Sequence, residues 1–137
     1  MVSTSEFLKM IEESNKWKHN INYRKSPLTY EITDDCGGIY TCEPYKSILL
    51  DIWRFSTPEA SEKSAASIKK MFLRYLDEED FVGADLALKY LRAGSSRSGV
   101  PPSSRERFTK VYNELSIHSG YLSLREKFKE EKENAKG

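Results

Sequence analysis

Two consecutive apolar stripes, each preceded by a helix-start signal, constrain this chain more than any other feature. Ser56-Thr57-Pro58-Glu59 supplies a capping hydroxyl, a proline for the first turn and an acid near the positive end of the helix dipole. Ala65, Ile68, Met71, Phe72, Tyr75 and Leu76 then recur at helical spacing, with Lys69, Lys70 and Arg74 opposite. Asp77-Glu78-Glu79-Asp80 interrupts the pattern. Asp80 then caps a second stripe of Phe81, Ala84, Ala87, Leu88 and Leu91, and Gly94 is expected to end it with a positive φ. So short a link predicts an antiparallel helical hairpin.

Around that hairpin the signals change. Ser3 or Thr4 opens a helix carrying Phe7, Leu8, Ile11 and Trp17, which ends near Lys18. Residues 19–27 are polar and close on Ser26-Pro27, as a connector does. Residues 28–33 (LTYEIT) alternate and are rich in β-formers, and residues 39–42 (IYTC) are similar. Between them lies DDCGG, whose residues accept positive φ, so the reading is a short two-stranded antiparallel β-hairpin. Pro44 leads into a short helix bearing Ile48, Ile52 and Phe55. Residues 95–104 (SSRSGVPPSS) form a loop, and a helix begins near Ser103 or Ser104. A pause around Gly120 precedes a charged terminal helix expected to be solvated and frayed. The predicted fold class is therefore α+β and mostly helical: a small hairpin packed on a helical hairpin, with flanking terminal helices.

The 137 residues suit one domain, 1–137, with a core over about 19–97 and a C-terminal helical extension over about 103–137. A formal net charge of +1 provides no global field for nucleic acid or membrane, so any such role must rest on local charge. No run approaches the roughly 20 apolar residues of a membrane span. The N-terminal MVSTSEFLKMIEES has early acids and no apolar run of signal-peptide length. A cytoplasmic, soluble protein with reduced thiols and no membrane partner is the expectation.

Motifs for metal or covalent chemistry are not assembled. Gly38-Ile39-Tyr40 matches the opening letters of a nuclease signature, yet no Tyr-Ile-Gly strand follows. Cys36 and Cys42 lack nearby partners for zinc, since His19 and His118 are distant in sequence. Residues 77–80 lack the spacing of a calcium loop and read as one cap with three solvated acids. No cofactor and no metal are expected.

EPYKS (43–47), WRF (53–55), TPE (57–59), SAASI (64–68), DFVGAD (80–85), KYLRAG (89–94) and Ser96-Arg97 occur in a familiar order. Tyr23-Arg24, Pro27 and Tyr30 fit the upstream pattern. Over about residues 19–97 the chain resembles a family of small cytoplasmic proteins of unknown function from bacteria, phages and some eukaryotes. Its members read EPYKSEILPHWRF, then a TPE-like helix start, then DFVGMDMARKFLQMG and Thr-Arg. This chain departs at TDDCGG, where the family carries a Gly-Arg-Gly-Glu-like turn, and at the SGVPP insertion before Arg105 and Arg107. The resemblance implies a family and no activity.

Two clusters qualify as sites. From Arg92 to Lys110, Arg92, Arg97, Arg105, Arg107 and Lys110 face one carboxylate, Glu106. Arginines on a Gly/Ser/Pro loop suit phosphate contact and stacking. Upstream, Lys16, Lys18, Arg24 and Lys25 interleave with Trp17 and Tyr23. The second cluster is Glu43, Tyr45, Lys46, Trp53 and Arg54, which can converge with Arg97 or form structural ion pairs. The leading expectation is a non-enzymatic binding module for nucleic acid or another phosphate-bearing ligand, using Arg97, Arg105 and Arg107 beside Tyr45 and Trp53. The alternatives are a small enzyme acting on a nucleotide or modified base through Glu43, Lys46, Arg54 and Arg97, and a scaffold pairing with a protein partner through its terminal helices.

Overall fold

The structure is a computed structural model that describes residues 17–136. Five α-helices follow one another among these residues: α1 (Tyr45–Ile52), α2 (Pro58–Asp77), α3 (Phe81–Ser96), α4 (Pro102–Ser116) and α5 (Ser119–Lys136). An irregular segment with one 3-10 turn, Pro27–Thr29, precedes them. The helix expected over residues 3–18 lies almost wholly outside the described residues; Trp17 is buried.

α3 is the hub. It packs against α1, α2, α4 and α5, and its buried positions run all round the helix, from Phe81 to Gly94. Both predicted caps form: Thr57 Oγ1 accepts from the Ala60 N–H at 3.0 Å, and Asp80 Oδ1 accepts from the Gly83 N–H at 3.1 Å. Between α2 and α3 the chain reverses through Glu79, at φ 56°, while the Asp80 N–H reaches the Tyr75 carbonyl at 2.7 Å. That six-to-one bond around a left-handed residue is a Schellman stop.

No strand or sheet forms among the described residues, which corrects the expected α+β class; the structure there is all-helical. The only β pairing among them is an isolated bridge between Asn22 and Glu43. Residues 28–33 begin as the 3-10 turn that Pro27 initiates, and residues 38–42 curl into a turn, with the Cys42 N–H on the Gly38 carbonyl at 2.9 Å. The reason is tertiary. Tyr30 and Ile39 are fully or almost fully buried in the helical core, and the carbonyls a ladder would have used are taken by side chains. Tyr90 Oη donates to the Ile39 carbonyl, Lys89 Nζ to that of Gly37 at 2.8 Å, Arg92 to that of Asp34, and Lys132 Nζ to that of Tyr30 at 2.6 Å. The alternation in LTYEIT reports burial of every second residue, which a pinned coil shares with a strand.

Two further expectations are corrected. α3 continues past Gly94 to Ser96, because that glycine serves packing: a Cβ there would lie 2.6 Å from the Phe108 ring on α4. The terminal helix is docked as well as solvated, since Tyr121 and Phe128 enter the same core as α3. Phe81 stacks on both, at 5.8 and 4.8 Å between ring centroids. Residues 53–56 pass between helices with their backbone bonded by buried serines. Ser64 Oγ donates to the Ile52 carbonyl at 2.7 Å and accepts from the Arg54 N–H at 2.9 Å, and Ser104 Oγ donates to the Phe55 carbonyl at 3.3 Å.

Gly94→Ala forces its methyl group into the Phe108 ring and is expected to lower unfolding stability by about 1–3 kcal/mol. Urea denaturation checks this; an unchanged midpoint contradicts a packing role for that glycine.

Candidate functional site

Phe81, Asp85 and Lys89 stand at four-residue spacing on α3, so they form one row on the helix surface. Phe81 at the top of the row meets rings, whereas the next two turns carry charge into the core. Asp85 is 6% exposed and Lys89 is 5% exposed, so each needs partners inside the protein. The Asp85 carboxylate accepts from Tyr30 Oη on the irregular segment and, at 2.6 Å, from Tyr121 Oη on α5. Lys89 Nζ lies 3.9 Å from Asp85 Oδ2, donates to Thr33 Oγ1 at 2.9 Å and to the Gly37 carbonyl at 2.8 Å, and sits 5.0 Å from the ring centroids of both Trp17 and Tyr30. Burial lowers the Lys89 ammonium pKa, and Asp85 opposes that shift. The cluster ties α3 to the 30–38 segment and to α5.

Above it the segment bends at Gly38, whose φ of 93° favours glycine. A Cβ there would also crowd Cys42 Sγ at 3.0 Å and the Trp17 ring. This turn presents Tyr40 outward at 44% exposure. Arg97, exposed at the C-cap of α3, places its guanidinium carbon 4.9 Å from the Tyr40 ring centroid. Beneath, Tyr40 meets Trp53 at 6.5 Å, and Trp53 meets Phe55 and Tyr90 at 5.1 and 5.3 Å. Trp53 Nε1 is buried with no hydrogen-bond partner among the described residues. Burial raises the Cys36 thiol pKa, and Arg92, Arg97 and Lys89 oppose that shift.

The residues singled out from sequence separate into different places. Trp53 and Arg97 share the Tyr40 face. Tyr45 is buried elsewhere, donating to Asp80 Oδ2 at 2.6 Å, with the Arg24 guanidinium carbon 5.3 Å from its ring centroid. Glu43 accepts from the Ser47 N–H at 2.8 Å and hydroxyl at 2.6 Å; the hydroxyl bond holds its carboxyl below the ordinary pKa, with Lys46 nearby adding to the effect. Arg54 is exposed, 3.9 Å from Asp51. Arg105 fastens the preceding loop, donating to the Val100 carbonyl at 2.8 Å and that of Ser98 at 3.3 Å. Arg107 donates to the Ser103 carbonyl at 2.8 Å and lines the groove between α2 and α4. The four-acid run does more than expected. Asp80 caps α3 and holds Tyr45 and Arg24, Glu78 pairs with Arg74 at 3.1 Å, and Glu79 with Lys127 at 3.8 Å. Sequence reasoning missed Tyr40, Asp85, Lys89 and Tyr121; the usable signal was two charges at i and i+4 on an otherwise apolar row.

No group of three or more His, Cys, Asp or Glu side chains among the described residues is placed to hold a metal ion. No helix among them is long and apolar enough to cross a membrane.

The buried phenols set a pH dependence. Burial raises the pKa of Tyr23, Tyr30, Tyr45, Tyr75, Tyr90 and Tyr121 above the ordinary 10.0, with Asp85 adding to the shift at Tyr30 and Tyr121. Burial likewise pushes the Cys42 thiol from 9.0 up to about 12. These groups stay protonated in the folded chain when the unfolded chain has released its protons, so their contribution is complete below pH 9.0 for the thiol and 10.0 for the phenols, and is lost above. Lys89 works in the opposite sense up to 10.5, one amine against six phenols. The urea midpoint is therefore expected to fall steadily from about pH 9 upward; a flat profile to pH 11 contradicts it.

Comparison with curated proteins and with solved structures returned no match. A family model does match, over residues 13–101, which takes in the irregular segment, α1, α2, α3 and the loop that ends with Val100 and Pro101. Asp85, Lys89, Tyr40 and Arg97 all fall within that span, whereas Tyr121 and α5 lie beyond it. The chain belongs to the family described as a domain of unknown function, DUF4385.

Proposed function

We propose that the chain is a non-enzymatic binding module that docks nucleic acid, or another phosphate-bearing ligand, on the face formed by Tyr40 and Arg97. One observation carries this reading. The Arg97 guanidinium lies over a tyrosine ring that is itself 44% exposed, and it forms no ion pair with a carboxylate among the described residues. A flat aromatic surface beside an uncompensated guanidinium offers both interactions that single-stranded nucleic acid uses: base stacking and phosphate neutralisation.

The mechanism is electrostatic docking followed by stacking. Phosphate contacts position the ligand and read no sequence. Trp53 backs the Tyr40 ring and is itself packed by Phe55 and Tyr90, so the platform is held before the ligand arrives and loses little freedom on binding. Arg105 directs its donors to the loop carbonyls of Ser98 and Val100, and so acts by holding the loop after Arg97 in place.

Fluorescence anisotropy with a labelled single-stranded oligonucleotide, at low and moderate salt, tests the reading. Affinity should fall steeply with salt, and Arg97→Gln should reduce the slope of log K against log salt by about 0.7 for each phosphate it no longer neutralises. Tyr40→Ala should weaken binding by about 1–3 kcal/mol for each stacked base, while Arg107→Gln, on the α2–α4 groove, should change little. Absence of binding at low salt, or variants that all match the parent chain, removes the reading.

A further inference from the structure

The loop between α3 and α4 sets an exposed serine beside two guanidinium groups. The stretch from Leu86 to Arg105 contains Lys89, Arg92, Arg97 and Arg105 and no carboxylate. Within it the Val100 N–H reaches the Arg97 carbonyl at 3.1 Å, so Arg97 to Val100 form a tight turn with Ser98 and Gly99 at its tip. Both tip residues are exposed, and a Cβ at Gly99 would meet no atom within 4 Å. The Ser98 hydroxyl makes no hydrogen bond among the described residues. The neighbouring serines are differently placed. Ser95 Oγ and Ser96 Oγ donate to the Arg92 carbonyl at 2.8 and 2.9 Å, Ser104 is buried, and Ser103 lies in the first turn of α4.

The cations around Ser98 are placed by covalent structure and hydrogen bonds. Arg97 directly precedes it. Arg105 Nη2 donates to the Ser98 carbonyl at 3.3 Å while its Nε donates to the Val100 carbonyl at 2.8 Å. The carbonyl and the hydroxyl of one serine branch from the same Cα. A phosphate on Ser98 Oγ is therefore within reach of a guanidinium already held at that residue. Neither Arg97 nor Arg105 pairs with a carboxylate among the described residues.

We propose that Ser98 is a phosphorylation site whose phosphate engages Arg97 and Arg105 and closes the Tyr40–Arg97 face to phosphate-bearing ligands. The consequence for docking rests on the reading of that face given above. In the step, Ser98 Oγ bonds to the γ-phosphorus of a nucleoside triphosphate, and the bond from that phosphorus to the β–γ bridging oxygen breaks. The nucleoside diphosphate leaves with the electron pair, and the hydroxyl proton passes to a base of the protein kinase. A kinase with carboxylates in its substrate cleft suits a serine preceded by arginine. The new group carries a charge of about −1.5 to −2 and three acceptor oxygens. That charge offsets both guanidinium groups, whose planar forks match its oxygens. An incoming phosphate then meets a like charge.

The full chain carrying genetically encoded phosphoserine at position 98 provides the test. In arginine side-chain NMR the Nε–H resonances of Arg97 and Arg105 should shift from those of the parent, and the shifts should follow the second ionisation of the phosphate near about pH 6. Oligonucleotide affinity at low salt should fall about tenfold or more, the usual worth of a hydrogen bond to a charged group. The slope of log K against log salt should shrink by about 0.7 for each phosphate contact given up. Ser98→Ala should bind as the parent does, because the hydroxyl has no bond to lose. Incubation of the parent chain with the catalytic domain of a basophilic serine kinase and Mg-ATP, mapped by mass spectrometry, should place phosphate on Ser98 in preference to Ser95, Ser96, Ser103 and Ser104. Phosphate confined to other serines, unmoved Arg97 and Arg105 resonances, or a phosphoserine chain that binds as tightly as the parent overturns the proposal. A parent chain that binds no oligonucleotide removes the Tyr40–Arg97 reading and the docking consequence with it; the arginine resonances and the phosphate map then decide the site itself.

Discussion

The Asp85 carboxylate, buried on the central helix and held by two tyrosine hydroxyls from different parts of the chain, is the interaction on which the arrangement depends. A charge in the core is tolerated only when its lone pairs are matched. Tyr30 brings the irregular segment to one oxygen and Tyr121 brings α5 to the other, with Lys89 one turn along α3 balancing the charge. Hydrophobic contact alone is non-directional and would let these elements slide. A carboxylate with two hydroxyl donors fixes their register.

The consequence is a stretch of irregular backbone held in place by side-chain donors. Residues 30–39 have no ladder, so their carbonyls rely on Lys132, Arg92, Lys89 and Tyr90. Three of those four side chains stand within about one turn of α3, so one helix supplies the bonds that a partner strand would have supplied. The same helix ends in Arg97. The fold thus sets an aromatic ring and a guanidinium together at the surface from opposite ends of one pinned unit.

The helical half of this architecture was legible in sequence because its signals are local. Thr57 and Asp80 announce helix starts by hydrogen bonds made within three residues, and the stripe from Ala65 to Tyr75 needs only a 3.6-residue period. The irregular segment was misread because alternation reports which side chains are buried, and Tyr30 and Ile39 are buried whether or not a neighbouring strand exists. What decides the matter is Lys89, Tyr90 and Arg92, more than 50 residues away in sequence. Gly94 was misread for a related reason: a helix-ending glycine and one that admits a neighbouring ring look alike until Phe108 is placed against it. Of the candidate site residues, Arg97 was findable from its exposed loop. Arg105 shared that loop yet turned inward to its carbonyls, a distinction composition does not carry. Asp85 and Lys89 were hidden inside an apolar row, where a charged pair at i and i+4 was the only trace of the cluster.

A double-mutant cycle on the two phenols tests this account most directly, because Tyr30→Phe and Tyr121→Phe each delete one hydroxyl and leave the ring in place. Measured by urea denaturation at neutral pH, each single change is expected to cost about 1.5–3 kcal/mol, the usual worth of a hydrogen bond to a charged group, and the pair should be non-additive by about 0.5 kcal/mol or more, since both bonds end on one carboxylate. Single variants within about 0.5 kcal/mol of the parent, with additive effects, would show that the carboxylate does not organise the fold.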